Sequence, residues 1–98
     1  MKLRFSVLAR NDLFSIGEWI SKEYPEHAVD YVLEIEASCR RLTEFPLTGE
    51  KIGRYQMEEI RCKIHDRYLV LYTIREETVF VVRVIHSAQD YLRFLDKF

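Results

Sequence analysis

Glycine occurs only 3 times and proline twice in 98 residues. The chain therefore lacks the material of a flexible linker, a collagen-like repeat or a low-complexity segment. Cysteine is scarce too. Cys39 and Cys62 show no Cys-x-x-Cys and no Cys/His ligand spacing, so no metal site is expected and both read as buried free thiols. Charge of one sign is missing: 15 Lys/Arg against 16 Asp/Glu leave a formal net charge of −1. That excludes a globally basic nucleic-acid binder. Long apolar runs are also absent, since the longest, Tyr68 to Ile74, has about seven residues where a bilayer span needs roughly 20. The amino-terminal stretch is interrupted by Arg4 and Arg10 and does not read as a signal-peptide core. A single soluble domain over residues 1–98 is expected, cytoplasmic, away from membranes and without a cofactor.

What is present is 48% hydrophobic and 32% charged, enough apolar material for a core without staples. Its spacing divides the chain. Leu3, Phe5 and Val7 alternate with polar residues and predict a short strand. Leu13, Ile16, Ile20 and Tyr24 recur at helical spacing up to Pro25. A second helix is expected to open just after Pro25, with Ala28, Val32, Ile35, Cys39 and Leu42 on one stripe. Residues 9–45 thus read as a helical hairpin with a tight connection. Leu47 to Gly53 reads as a loop, followed by strands at Glu58–His65, Tyr68–Ile74 and Val79–Ile85 joined by short turns. Ser87 and Asp90 fit a capping box for a short helix carrying Tyr91, Leu92, Leu95 and Phe98. The expected class is α+β: β-α-α-β-β-β, a hairpin of helices packed on a mainly antiparallel sheet, with a short C-terminal helix.

No nucleophile elbow, P-loop, dinucleotide fingerprint or HExxH stands in the sequence. The C-terminal half carries 9 Lys/Arg against 7 Asp/Glu, the N-terminal half 6 against 9, so an anionic partner would meet the meander. There Arg61, Lys63, His65, Arg67, Tyr68, Arg83, His86 and Tyr91 form a cationic and aromatic set. Arg61, Arg83 and His86 are the residue types that cleavage of an RNA phosphodiester by its own 2′-hydroxyl needs: cations for the phosphorane and a proton-transfer group. Strand parity puts Arg83 on the face opposite His86 unless the strand bulges. His86 and Asp90 also have structural readings, as a junction residue and a helix cap. Arg61 is expected to be exposed. On the hairpin, Phe14 and Trp19 fall off the main stripe and are candidates for exposure, whereas Val29 and Leu33 form a second edge expected to pack between helices.

Several short pieces, in order, carry a resemblance. Ala9-Arg10-Asn11-Asp12-Leu13 leads to Ile16 and Trp19-Ile20; Tyr24-Pro25, Leu42, Phe45-Pro46 and Gly49 follow; then Glu59-Ile60-Arg61, Tyr68 to Tyr72, and Val84-Ile85-His86 with Asp90. The chain resembles the ParE/RelE toxin superfamily of bacterial type II toxin–antitoxin modules, closest to the ParE-like branch. It departs at Gln89, where many members carry Arg, and in its slightly acidic balance. The resemblance implies a plasmid-stabilisation type of toxin that inhibits DNA gyrase without being an enzyme, held inactive by a ribbon-helix-helix antitoxin. Target-binding residues would be Arg61, Lys63, Arg67, Tyr68 and His86, and antitoxin-binding residues Phe14, Trp19, Val29 and Leu33. The alternatives are a RelE-like endonuclease of ribosome-bound mRNA, using Arg61, Arg83 and His86, and an inactive orphan that retains only antitoxin binding.

Overall fold

The computed structural model describes residues 1–87. Strand β1 (Lys2–Phe5) is followed by helices α1 (Val7–Ser21) and α2 (Ala28–Arg41), then strands β2 (Glu50–Tyr55), β3 (Glu58–His65), β4 (Tyr68–Arg75) and β5 (Thr78–His86). The sheet order is β1-β5-β4-β3-β2. β1 lies parallel to β5 and every other pair is antiparallel. The α+β class and the hairpin-on-sheet arrangement are as expected.

Three local expectations are corrected. Val7 is not a strand residue: Ser6 caps α1 by accepting the Ala9 N–H at 2.9 Å, so the helix starts at Val7 and leaves its side chain exposed. Pro25 is not in the first turn of α2 but inside the six-residue connection 22–27, with His27 at the N-cap position making no side-chain cap bond. The segment read as a loop contains a fifth strand, β2, whose register slips between Lys51 and Gly53. That slip breaks the alternation a strand would otherwise show in the sequence. The expected C-terminal helix with Asp90, Tyr91, Leu92, Leu95 and Phe98 lies outside the described residues.

Strand parity explains the burial. On β4, Tyr68, Val70 and Tyr72 face the helices and join Leu13, Ile16, Ile35, Cys39 and Leu42 in the main core. Leu69 and Leu71 face away, clustering with Ile60 and Ile85. β4 is therefore buried on both faces, which is why it reads as a continuous apolar run. Each fully buried Ile or Leu contributes roughly 1.5–3 kcal/mol. All three hairpin turns place non-glycine residues in the left-handed region: Gln56-Met57 (φ 50 and 71), Asp66 (φ 55) and Glu76-Glu77 (φ 41 and 63). These turns therefore tolerate strain that glycine would relieve.

Candidate functional site

Strands β3 and β4 run side by side, and each of their two ends gathers polar and aromatic side chains. At one end Arg61 pairs in register with Tyr72; at the other His65 pairs with Tyr68, which pairs on its far side with His86.

At the first end everything is committed to the chain itself. The Tyr72 hydroxyl donates to the Pro46 carbonyl at 2.6 Å and accepts the Gly49 N–H at 2.9 Å. Arg61 Nη1 donates to the carbonyls of Gly49 (2.7 Å) and Leu47 (3.3 Å). Its side chain is only 13% exposed, with Glu59 at 3.9 Å. Arg61 is therefore not the open strand residue expected from parity; it clamps the connection between α2 and β2. Gly49 is required, because a Cβ there would overlap the Tyr72 phenol. Burial raises the Tyr72 pKa, partly offset by the Gly49 N–H.

Arg83 is committed as well. Its Nε and Nη2 meet both carboxylate oxygens of Asp12 on α1, at 2.8 and 2.9 Å, and Asp12 also accepts the Val84 N–H at 2.9 Å. These hydrogen bonds raise the Arg83 pKa. The pair forms because β5 bulges: the β4 register skips from Leu71–Arg83 to Tyr72–Val81, which turns Arg83 toward the helix layer.

The second end carries an aromatic row. Tyr31 of α2 sits over the row His65–Tyr68–His86, edge-on to His65 (6.1 Å between centroids) and to Tyr68 (6.0 Å), and Tyr68 is edge-on to His86 at 5.3 Å. The Tyr31 hydroxyl donates to Asp66 Oδ2 at 2.8 Å. Burial first, then Asp66, pushes the Tyr31 pKa up; burial does the same to Tyr68. Both phenols thus stay protonated donors at neutral pH. The cleft in front of them has a volume of about 450 Å³ and is bounded by Trp19, Tyr24, His27, Glu34, Arg67 and His86 among others.

A second concavity, about 500 Å³, runs between α1 and α2. Phe14 and Val29, each 69% exposed, line it, with Leu13, Gly17, Ala28 and Val32. Val29 and Leu33 do not pack between the helices as expected; Leu33 is 53% exposed and lines neither concavity. Trp19, 68% exposed, lines the aromatic cleft instead of the groove.

The structure thus brings Arg67, Tyr68 and His86 together, keeps Lys63 further along β3 opposite Val70, and sends Arg61 to the opposite end. The trio Arg61, Arg83 and His86 makes its described contacts at three different places. Sequence reasoning assigned no role to Tyr31, Glu34 or Asp66, and treated Asp12 and Tyr72 only as parts of motifs. Tyr31 stood three residues after Ala28 and four before Ile35, a sheet-facing position that helical spacing alone could have flagged. Among the described residues no group of three or more His, Cys, Asp or Glu is placed to hold a metal, and no helix is long and apolar enough to cross a membrane.

A hairpin of helices on a five-stranded sheet, with an apolar interhelical groove and an aromatic cleft, defines a small α+β domain. A family model described as "ParE toxin of type II toxin-antitoxin system, parDE" matches residues 3–91. The chain belongs to the ParE toxin family of type II toxin–antitoxin systems. Among solved structures, the fold is similar to a chain of "Chromosomal ParDE TA system from P. aeruginosa", with a TM-score of 0.73 and 19% identity over 88% of this chain and 95% of that one. No curated protein matches.

Proposed function

We propose that this chain is a ParE-like toxin that inhibits DNA gyrase in the bacterial cytoplasm and is neutralised by a cognate antitoxin, of the ribbon-helix-helix type, seated on the helical hairpin. Family membership implies an antitoxin partner. The observation that carries the reading is the groove between α1 and α2, where Phe14 and Val29 stand exposed around an apolar floor. An amphipathic segment buries that apolar surface in one step, and aromatic anchors of this kind contribute about 2 kcal/mol or more each on truncation. Target contact falls to Arg67, Tyr68 and His86, with Lys63 beside them. Arg61 contributes by holding the α2–β2 connection in shape. The dispersal of Arg61, Arg83 and His86 favours a binder over the mRNA endonuclease.

The test is direct. Purified protein should inhibit gyrase-dependent supercoiling or trap cleaved DNA, and leave ribosome-bound mRNA intact. Codon-positioned mRNA cuts that vanish in His86→Ala, together with normal supercoiling, would sink the reading in favour of the nuclease. Neither effect, with antitoxin binding retained, would leave the orphan.

A further inference from the structure

Glycine is the poorest helix-interior residue after proline, yet Gly17 stands inside α1 (Val7–Ser21). Two ordinary reasons for a helical glycine are absent. Its φ is not positive, so any residue could adopt its backbone. No backbone of α2 blocks a side chain either: a Cβ at Gly17 would meet only Val32 Cγ2, at 3.3 Å. Val32 is half-buried and lines the open groove between α1 and α2, so that methyl can give by a few tenths of an ångström. Gly49 is the opposite case, since a Cβ there would overlap the Tyr72 phenol. Packing explains Gly49 and leaves Gly17 over.

The missing side chain opens the groove floor. Gly17 lines the groove with the buried Leu13 and Ala28, between the exposed walls Phe14 and Val29. The charged lining residues, Arg10, Glu18 and Glu36, are of both signs and single out no ionic ligand. Floor and walls are apolar, so the recess suits an apolar group. Family membership supplies the occupant, because a ParE toxin of a parDE system works with an antitoxin. Resting on the reading that the antitoxin sits in this groove, we propose that Gly17 is the socket for one apolar anchor side chain of that antitoxin. It thereby sets how large the anchor can be. The helix gives up its own side chain there, and the partner provides one.

The probe is the antitoxin encoded in the reading frame adjoining this chain's, titrated into the full chain by calorimetry. Growing the side chain in steps should fill the socket. Gly17→Ala is expected to weaken binding about tenfold and Gly17→Leu about 100-fold. The urea midpoint of free Gly17→Ala should stay at or above wild type, because alanine is the better helix former. Ser15→Leu adds the same side chain at an exposed α1 position outside the groove and should leave binding unchanged. A lowered Gly17→Ala midpoint would make the glycine a packing requirement of α1 against α2 and overturn the proposal. Self-association of the chain alone, lost in Gly17→Leu, would give the groove to a second copy and overturn it too. Undiminished binding by folded Gly17→Ala, with Phe14→Ala still weakening it, would remove the socket and leave the groove reading standing. Binding that ignores Phe14→Ala and Val29→Ala as well would sink both. If Gly17→Leu fails to fold, Gly17→Ala carries the comparison.

Discussion

The two ends of the β3–β4 pair use the same residue types to opposite effect. At the Arg61–Tyr72 end, a phenol and a guanidinium spend their hydrogen bonds on four backbone groups of one connection. At the Tyr68–His65 end, the rings touch one another edge-on and the Tyr31 hydroxyl bonds Asp66. The difference lies in what the backbone leaves unpaired nearby. The α2–β2 connection passes over the sheet and brings carbonyls that must be satisfied, because buried unpaired groups are costly. The β3–β4 turn is short and exposed, so it brings no buried carbonyls for neighbouring side chains to satisfy.

Breaking the first end should have the largest effect. Tyr72→Ala removes a fully buried ring and two hydrogen bonds and is expected to cost about 4 kcal/mol in urea unfolding. Tyr72→Phe, which keeps the ring, should cost about 2 kcal/mol. Arg61→Ala should cost about 1–3 kcal/mol rather than being silent, because it frees two carbonyls from a charged donor. A loss below about 0.5 kcal/mol would show that the clamp is ornamental.

A pH series sharpens the same contrast. Burial pushes the Cys39 thiol from 9.0 up to about 12, and Tyr31, Tyr68 and Tyr72 are raised from 10.0. Each group holds its proton longer in the folded state, so its stabilisation is complete below its unfolded pKa and is lost as pH rises. Folding stability should therefore fall between pH 9 and about 12, by about 1.4 kcal/mol per pH unit for each proton the unfolded chain has lost. Urea midpoints for Cys39→Ala should show a shallower fall.

The second end should yield least. Tyr31→Phe breaks one exposed hydrogen bond to Asp66 and is expected to cost less than about 1 kcal/mol. Trp19→Ala should stay within about 0.5 kcal/mol of wild type. It should nonetheless weaken antitoxin binding in calorimetry if the antitoxin reaches the cleft. A Trp19→Ala chain that unfolds would return Trp19 to the core and erase the contrast between the two ends.

Hydrophobic period by itself determined the two helices, strands β1, β3, β4 and β5, and the core stripes from Leu13 to Ile20 and from Ala28 to Leu42. Burial on one face leaves a local signature in the residues that are buried. It also marked Phe14 and Trp19 as off-stripe. Only tertiary structure decided β2, whose bulge at Ile52 hides the alternation, and the exposure of Val29 and Leu33, which depends on how closely two helices approach. The fate of the arginines was equally illegible. Arg61, Arg67 and Arg83 share one residue type, on the two strands that flank β4 and on a turn, yet one is tied to Leu47 and Gly49, one lines a cleft, and one meets Asp12 seventy-one residues away in sequence. Sequence specifies which groups are charged; which acceptors reach them is a matter of distance through space, and that is set only when the chain has closed on itself.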